Sequence, residues 1–259
     1  MKKILVIGDS CQDLFRYGTC DRLSPEAPVA IMKPIRTTGN GGMAINLFEN
    51  LKALGVEADI ITNDIRPVKT RYVDEVSNQI LLRVDESDDI IPIESSLLLC
   101  DINYNDYDCV VISDYDKGFL DEGDINYITE HHPLVFMDTK KKIGDWAAGI
   151  EFIKINEKEY QRNENWLFGN YNGKVVVTLG KEGAKVCRSD GKHSPTLLVG
   201  IDSEHEVRDL SGAGDTFLAG LVAEFIKTSD ICEAIRFANR CAAWVVSQKG
   251  VVIVNPEKI

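Results

Sequence analysis

The feature that most constrains this chain is a run of short apolar blocks, each closed by polar residues. Residues 4–7, 109–113, 134–138, 151–155 and 174–179 form such blocks, too short for helices and rich in Val and Ile. Apolar on both faces, they read as strands buried in a parallel sheet. A helical stretch near 121–131 falls between two of them, and strand–helix alternation demands right-handed crossovers. The blocks end in Asp114-Tyr115-Asp116-Lys117-Gly118, Asp138-Thr139-Lys140, Asn156-Glu157-Lys158-Glu159 and Thr178-Leu179-Gly180-Lys181-Glu182-Gly183. Open α/β sheets bind ligands outside the carboxyl ends of their strands, so four polar ends on one edge predict a site.

A second stretch states what that site handles. Asp209-Leu210-Ser211-Gly212-Ala213-Gly214-Asp215-Thr216-Phe217 follows a strand-like run at 205–208 and opens an apolar helix pattern. Phe217, Leu218, Leu221, Val222, Phe225 and Ile226 supply its buried face. Gly212, Ala213 and Gly214 therefore sit at a helix N-terminus, where bare N–H groups and the dipole attract an anion. Asp215 is unfavourable beside a phosphate unless it does chemistry. Its natural task is to take a proton from a hydroxyl attacking phosphorus while the amides hold the phosphoryl charge. The competing reading is a Gly-rich turn with Asp215 as a first-turn helix acid.

The remaining elements are of mixed clarity. Residues 4–7 end in Gly8-Asp9 without a G-x-G-x-x-G, so a dinucleotide-binding start is unsupported. Asp13, in the polar cluster that follows, is a candidate for sugar hydroxyls or a loop acid. Residues 14–37 carry Pro25, Pro28 and Pro34 around a short strand at 29–33, suggesting an excursion from the main sheet. Gly39-Asn40-Gly41-Gly42 then opens a helix whose apolar face is Ala44, Leu47, Phe48, Leu51 and Leu54, with Gly55 at its end. Asn46 lies one turn in, beside a possible second backbone cradle. After a strand at 57–62 come two β-rich runs, 70–76 and 79–84, joined at Ser77-Asn78 as a two-residue hairpin turn. The alternation of Ile80, Leu82 and Val84 implies one covered face. With the first excursion this hairpin would make a small β lid, given basic character by Lys69, Arg71 and Arg83.

Asn156 and Glu159 are candidates for ordering a hydrated Mg²⁺, with a helix N-cap as the alternative. A C-terminal helix at 232–247 carries Ile235, Ala238, Ala242 and Val246 on one face, and Asn239 interrupts it as a candidate adenine contact. A net charge of −12 argues against nucleic acid, which needs a basic stripe. The seven cysteines are odd in number and without a C-x-x-C pair, and the four histidines lack metal-ligand spacing. No apolar run approaches 18 residues and the N-terminus lacks a signal-peptide pattern, so the expectation is a reduced, cytoplasmic protein without membrane contact.

Taken together, Asp209-x-x-Gly212-Ala213-Gly214-Asp215, Gly41-Gly42-x-x-x-Asn46 and Asn156-x-x-Glu159 resemble the signatures of the ribokinase-type (PfkB) carbohydrate kinases, in order and over essentially the whole chain. Further stretches resemble the D-glycero-β-D-manno-heptose 7-phosphate kinases within that family. These are Leu23-Ser24-Pro25-Glu26-Ala27-Pro28-Val29, Val68-Lys69-Thr70-Arg71, Asn78-Gln79-x-Leu81-Leu82-Arg83-Val84-Asp85 and Ser113-Asp114-Tyr115-x-Lys117-Gly118. The resemblance implies a ribokinase-like three-layer α/β sandwich of residues 1–259, mostly parallel, with lid segments at 14–37 and 68–86. It implies transfer of the ATP γ-phosphate to C1 of a heptose 7-phosphate, with Asp215 as base and Gly212, Ala213 and Gly214 as anion hole. Asp13, Gly41, Gly42 and Asn46 would hold sugar hydroxyls, and Lys69, Arg71, Arg83 and Lys117 the substrate phosphate. Asn156, Thr178, Gly180, Gly183 and Asn239 would serve the nucleotide, Asn156 and Glu159 a water-held Mg²⁺, and Asp209 and Ser211 a monovalent cation such as K⁺. The 62–67 passage is shorter than is usual in the family, and Leu210 replaces Thr or Val. A homodimer is a further expectation.

Overall fold

The computed structural model describes residues 2–64, 66–86, 90–94, 97–188, 197–202 and 206–259. The apolar blocks become the centre of a sheet. β1 (Lys3–Gly8), β4 (Glu57–Thr62), β7 (Cys109–Asp114), β8 (Val135–Thr139), β9 (Phe152–Asn156) and β10 (Lys174–Thr178) are parallel, in the order β10-β9-β8-β7-β1-β4. Two strands not read from the sequence, β11 (Ala184–Arg188) and β12 (Leu197–Val199), extend it antiparallel beyond β10.

The two-residue period of a strand divides its side chains between two cores. Ile4, Val6, Val111, Phe136, Phe152 and Val176 face α1 (Gly42–Ala53), α4 (Ala213–Thr228) and α5 (Ile231–Val246). Leu5, Ile7, Ile112, Met137, Ile153 and Val177 face α2 (Glu122–His131) and α3 (Glu157–Asn170). The result is three layers, helix–sheet–helix. Phe136 and Phe152 stack at 4.4 Å between ring centres, and Phe225 of α4 packs edge-on to both.

A second sheet has the order β3-β2-β5-β6 and comprises β2 (Gln12–Leu23), β3 (Ala30–Asn40), β5 (Val68–Asp74) and β6 (Ile80–Glu86). Where the sequence suggested one short strand at 29–33, the structure has a long hairpin. Pro34 is tolerated because β3 is an edge strand, and it sits at a register shift. The β5–β6 connection is also longer than the two-residue turn expected at Ser77-Asn78. It runs from Glu75 to Gln79 and closes with Asn78 at φ 58° and its N–H on the Asp74 carbonyl. Nor is one face of β6 covered: Ile80 and Leu82 are 51% and 57% exposed. Alternation fixes which side chains share a face; it does not supply the element that covers them. A small cluster of Phe15, Tyr17 and Val73, with Val251 against it, anchors this lid to the body.

Of the 205–208 run, His205 lies outside the described residues, as do His193 and Ile65, and Glu206–Arg208 are not a strand. The Arg208 and Asp209 amides instead donate to the Val246 carbonyl at the end of α5. The shortened 62–67 passage leaves β4 as the edge of the main sheet among the described residues. Among the described residues no helix is long and apolar enough to cross a membrane, and Cys11, Cys20, Cys109, Cys187, Cys232 and Cys241 are in no disulfide.

Candidate active site

Gly212 takes φ 78°, a left-handed turn that lets the chain enter α4 directly behind it. A Cβ there would lie 2.9 Å from Asn46 Nδ2 and 3.0 Å from Val251, so only glycine allows this approach. The amides of Ala213, Gly214 and Asp215 fall in the first turn, where N–H groups lack helical acceptors; Ala213 reaches back to the Leu210 carbonyl at 3.4 Å. Leu210 is 71% exposed, so its replacement of Thr or Val is not at a packed position.

Asp215 is buried. Asn46 Nδ2 donates to its Oδ2 at 2.9 Å, and the Tyr115 hydroxyl donates to its Oδ1 at 2.7 Å. Burial raises its pKa from 3.8 to about 6, although both donors oppose the rise. The carboxylate thus sits where α1, α4 and the loop after β7 converge, held by two neutral donors.

The first glycine cradle closes on the same region. A Cβ on Gly42 would meet Cys11 Sγ at 2.6 Å and Asp13 Oδ2 at 3.7 Å. The Cys11 thiol is pushed up to about 12 by burial, and its charged neighbours are Asp13, Lys69, Arg71 and Asp215. Asp13 and Asp215 thus both lie within electrostatic reach of Cys11. An open cleft of about 390 Å³ there is lined by Cys11, Gln12, Leu14, Gly39, Asn40, Gly41 and Arg66. The backbone at Met43 lies at φ 46° and ψ −124°, a strained conformation for a side-chain-bearing residue at the mouth of α1.

The lid cations are placed by strand register. Asp13 lies opposite Lys69, and Lys69 opposite Asp85; Arg71 lies opposite Arg83. Arg71 is ion-paired with Asp13 and Arg83 with Asp85, while Lys69 is buried between the two carboxylates' strands. Lys117 belongs to a different element, the loop after β7, where its amide donates to Asp9.

Along the sheet edge Asn156 caps α3. Its Oδ1 accepts the Glu159 amide and Glu159 Oε2 accepts the Asn156 amide, each at 2.9 Å, and Lys140 meets Glu159 Oε1 at 2.8 Å. The N-cap reading thus describes these two side chains. Their oxygens keep second lone pairs and suit a Mg²⁺ held through water. Among the described residues no group of three or more His, Cys, Asp or Glu would hold an ion directly. Asp209 Oδ1 accepts the Ser211 amide at 2.9 Å. Thr178 ends β10 and Gly180 turns the chain at φ 59°, whereas Gly183 is dictated by the Val199 carbonyl, 2.2 Å from any Cβ. Asn239 Nδ2 is used on the Val199 and Gly200 carbonyls at 3.1 Å.

Three features escaped the sequence reading. Asp9 accepts amides from Tyr115, Lys117 and Phe119, fixing the loop after β7. Tyr115 reaches Asp215. Lys154, buried on β9, pairs with Asp138 at 2.6 Å, and Lys140 joins them at 3.2 Å. Burial alone would raise Asp138, but the two ammonium groups outweigh it and hold its pKa below the usual range. A Cβ on Gly214 would stand 3.0 Å from Lys154 Nζ, so this cation lies under the α4 entrance. A lysine inside the apolar run Phe152-Ile153-Lys154-Ile155 was the available signal.

The family model for pfkB family carbohydrate kinases matches residues 126–258, just over half the chain. The chain belongs to the pfkB carbohydrate kinase family. Solved structures agree on the ribokinase-type fold. Phosphofructokinase-2 from Escherichia coli superposes with a TM-score of 0.74 at 14% identity, covering 100% of this chain and 97% of that one. Thermotoga maritima ribokinase gives 0.72 at 17%, covering 99% and 98%. Among curated proteins, the Bifunctional protein HldE of Nitratiruptor sp. is 29% identical over 99% of this chain and 64% of its own length. That of Helicobacter pylori strain J99 is 29% identical over 100% and 66%. The chain therefore spans a little under two thirds of these relatives.

Proposed function

We propose that this kinase transfers the γ-phosphate of ATP to C1 of D-glycero-β-D-manno-heptose 7-phosphate. The observation that carries the phosphotransfer chemistry is Asp215, buried at the entrance of α4 beside the first-turn amides of that helix and hydrogen-bonded by Asn46. As the acceptor oxygen bonds to phosphorus, Asp215 takes its proton, the bond to the ADP oxygen breaks, and the leaving charge passes to ADP. The amides of residues 212–214 face the charge on the transferred group. A pKa of about 6 leaves the base ionised at neutral pH.

Asp13, Gly41, Gly42 and Asn46 would hold sugar hydroxyls, and Lys69, Arg71, Arg83 and Lys117 the 7-phosphate. Arg71 would then exchange or share its Asp13 partner when substrate binds. Thr178, Gly180, Gly183 and Asn239 would shape the nucleotide site, Asn239 by holding the Val199–Gly200 backbone. Asn156 and Glu159 would hold Mg²⁺ through water, and the bound ion would neutralise triphosphate charge. Asp209 and Ser211 are the candidates for a monovalent cation.

The heptose assignment is supported by the relatives' similarity across the whole chain and by the cation-bearing lid. The uncovered apolar residues of β6 support a homodimer joined through the lid. The proposed ATP donor supports a cytoplasmic location. Incubating the protein with ATP and a panel of heptose, hexose and pentose phosphates, with mass-spectrometric identification of products, tests the substrate. A heptose 1,7-bisphosphate supports the reading; a product from another sugar alone moves it to a ribokinase-type kinase of different specificity.

A further inference from the structure

Tyr115 stands on the loop after β7, and the Asp9 carboxylate pins that loop. Oδ2 of Asp9 accepts the Tyr115 amide at 2.6 Å and the Lys117 amide at 3.3 Å, and Oδ1 accepts the Phe119 amide at 3.3 Å. Asp9 is itself buried at the end of β1, its amide on the Ser113 carbonyl. The loop is therefore tied to the two central strands, and the tyrosine side chain crosses from there to α4. Its hydroxyl meets Asp215 Oδ1 at 2.7 Å. Lys140 Nζ lies 5.3 Å over the ring, so the aromatic face is occupied as well.

On the other side Asn46 holds Oδ2, and the Asn46 amide is oriented by Asn50 Nδ2, which donates to its Oδ1 at 3.2 Å and to its carbonyl at 2.7 Å. A carboxylate with one donor can rotate about its Cβ–Cγ bond; with one donor on each oxygen it cannot without breaking a bond. The charged or titratable groups facing Asp215 from neighbouring elements are Cys11 beside β2, Asp138 on β8 and Lys154 on β9. The hydrogen bonds to its oxygens come only from Asn46 and Tyr115 among the described residues.

We propose that Tyr115 is a positioning residue of the kinase, whose hydroxyl fixes the orientation and the proton affinity of the base Asp215. The proposal rests on Asp215 acting as base. A hydroxyl that donates to the ionised form favours it, so removing the donor makes the carboxylate harder to ionise. Tyr115 itself stays protonated, since burial foremost, with Asp215 adding, pushes its pKa well above the ordinary phenol value.

The test is the Asp215 titration in the intact, substrate-free chain, followed by carboxyl ¹³C NMR in the native protein and in Tyr115→Phe, with Asp215→Asn to assign the resonance. The expected result is an upward displacement of about 0.5–1 pH unit in the phenylalanine variant. The acid limb of the kcat profile should move in the same direction, with a roughly tenfold loss of kcat on the scale of a misplaced catalytic group. An unmoved Asp215 titration overturns the proposal. Should Tyr115→Phe fail to fold, 3-fluorotyrosine at position 115, a stronger donor of nearly equal volume, should displace the titration downward; no displacement overturns it equally. Because the titration needs no substrate, a displaced pKa in a protein inactive on every sugar phosphate of the panel would sink the proposed acceptor while leaving the Tyr115–Asp215 coupling in place.

Discussion

Replacing Asp215 by Asn should make the protein more stable at alkaline pH while abolishing its chemistry. Burial raises the Asp215 pKa from 3.8 to about 6, so the folded state binds this proton more tightly than the unfolded chain does. Stability from this group is therefore full below the unfolded value and declines as pH rises, until the cost levels off above about 6. A tenfold difference in proton affinity is about 1.4 kcal/mol, so the ionised base costs roughly 3 kcal/mol at pH 8. Asparagine removes the charge but brings an NH₂ that must turn away from Asn46 Nδ2, returning about 1 kcal/mol of the gain. The net expectation is a gain of about 2 kcal/mol at pH 8, or roughly 4–8 °C in Tm for a chain of this size. At pH 4.5 the electrostatic cost falls to roughly a third, so the advantage of Asn should nearly vanish. Urea unfolding of both proteins at the two pH values measures this. An Asp215→Asn protein no more stable at pH 8, or a difference independent of pH, would refute the burial argument.

Other outcomes follow from the packing and the lid. Phe136→Ala empties the centre of the Phe136–Phe152–Phe225 cluster and should cost about 3–5 kcal/mol in urea unfolding without altering substrate preference. Gly212→Ala forces a side chain into φ 78° against Asn46 Nδ2; it should cost about 1–2 kcal/mol and reduce kcat more than it raises KM for ATP. Arg71→Ala frees Asp13 and removes a lid cation, so KM for a phosphorylated acceptor should rise at least tenfold with KM for ATP nearly unchanged, as steady-state kinetics would show.

What could be read in advance, and what could not, divides along physical lines. Buried parallel strands announce themselves because both faces are apolar, so β1, β7, β8, β9 and β10 were visible with ends within a residue or two. The lid strands were harder. β2 runs through Gln12–Leu23 with polar and charged residues on it, and its strand character comes from pairing on both sides rather than from pattern. β11 and β12 are short and partly polar, and α3 has so few apolar residues that its capping box was its clearest mark. Within the site, Asp215 and Asn46 were legible because glycine-rich helix entrances have a chemical logic. Tyr115, Asp9 and Lys154 were not, because each acts through a contact distant in sequence, 100 residues from Tyr115 to Asp215, 106 from Asp9 to Tyr115 in the loop after β7 and 16 from Lys154 to Asp138.

The most direct test of Asp215 as the base is the pH dependence of kcat/KM for the acceptor, measured by coupled ADP release over pH 4.5–9 with ATP saturating. The account predicts an acid limb that falls tenfold per pH unit below about 6, and the loss of at least a thousandfold of the rate in Asp215→Asn. A flat acid side, or an asparagine variant that keeps most of the native rate, would contradict it.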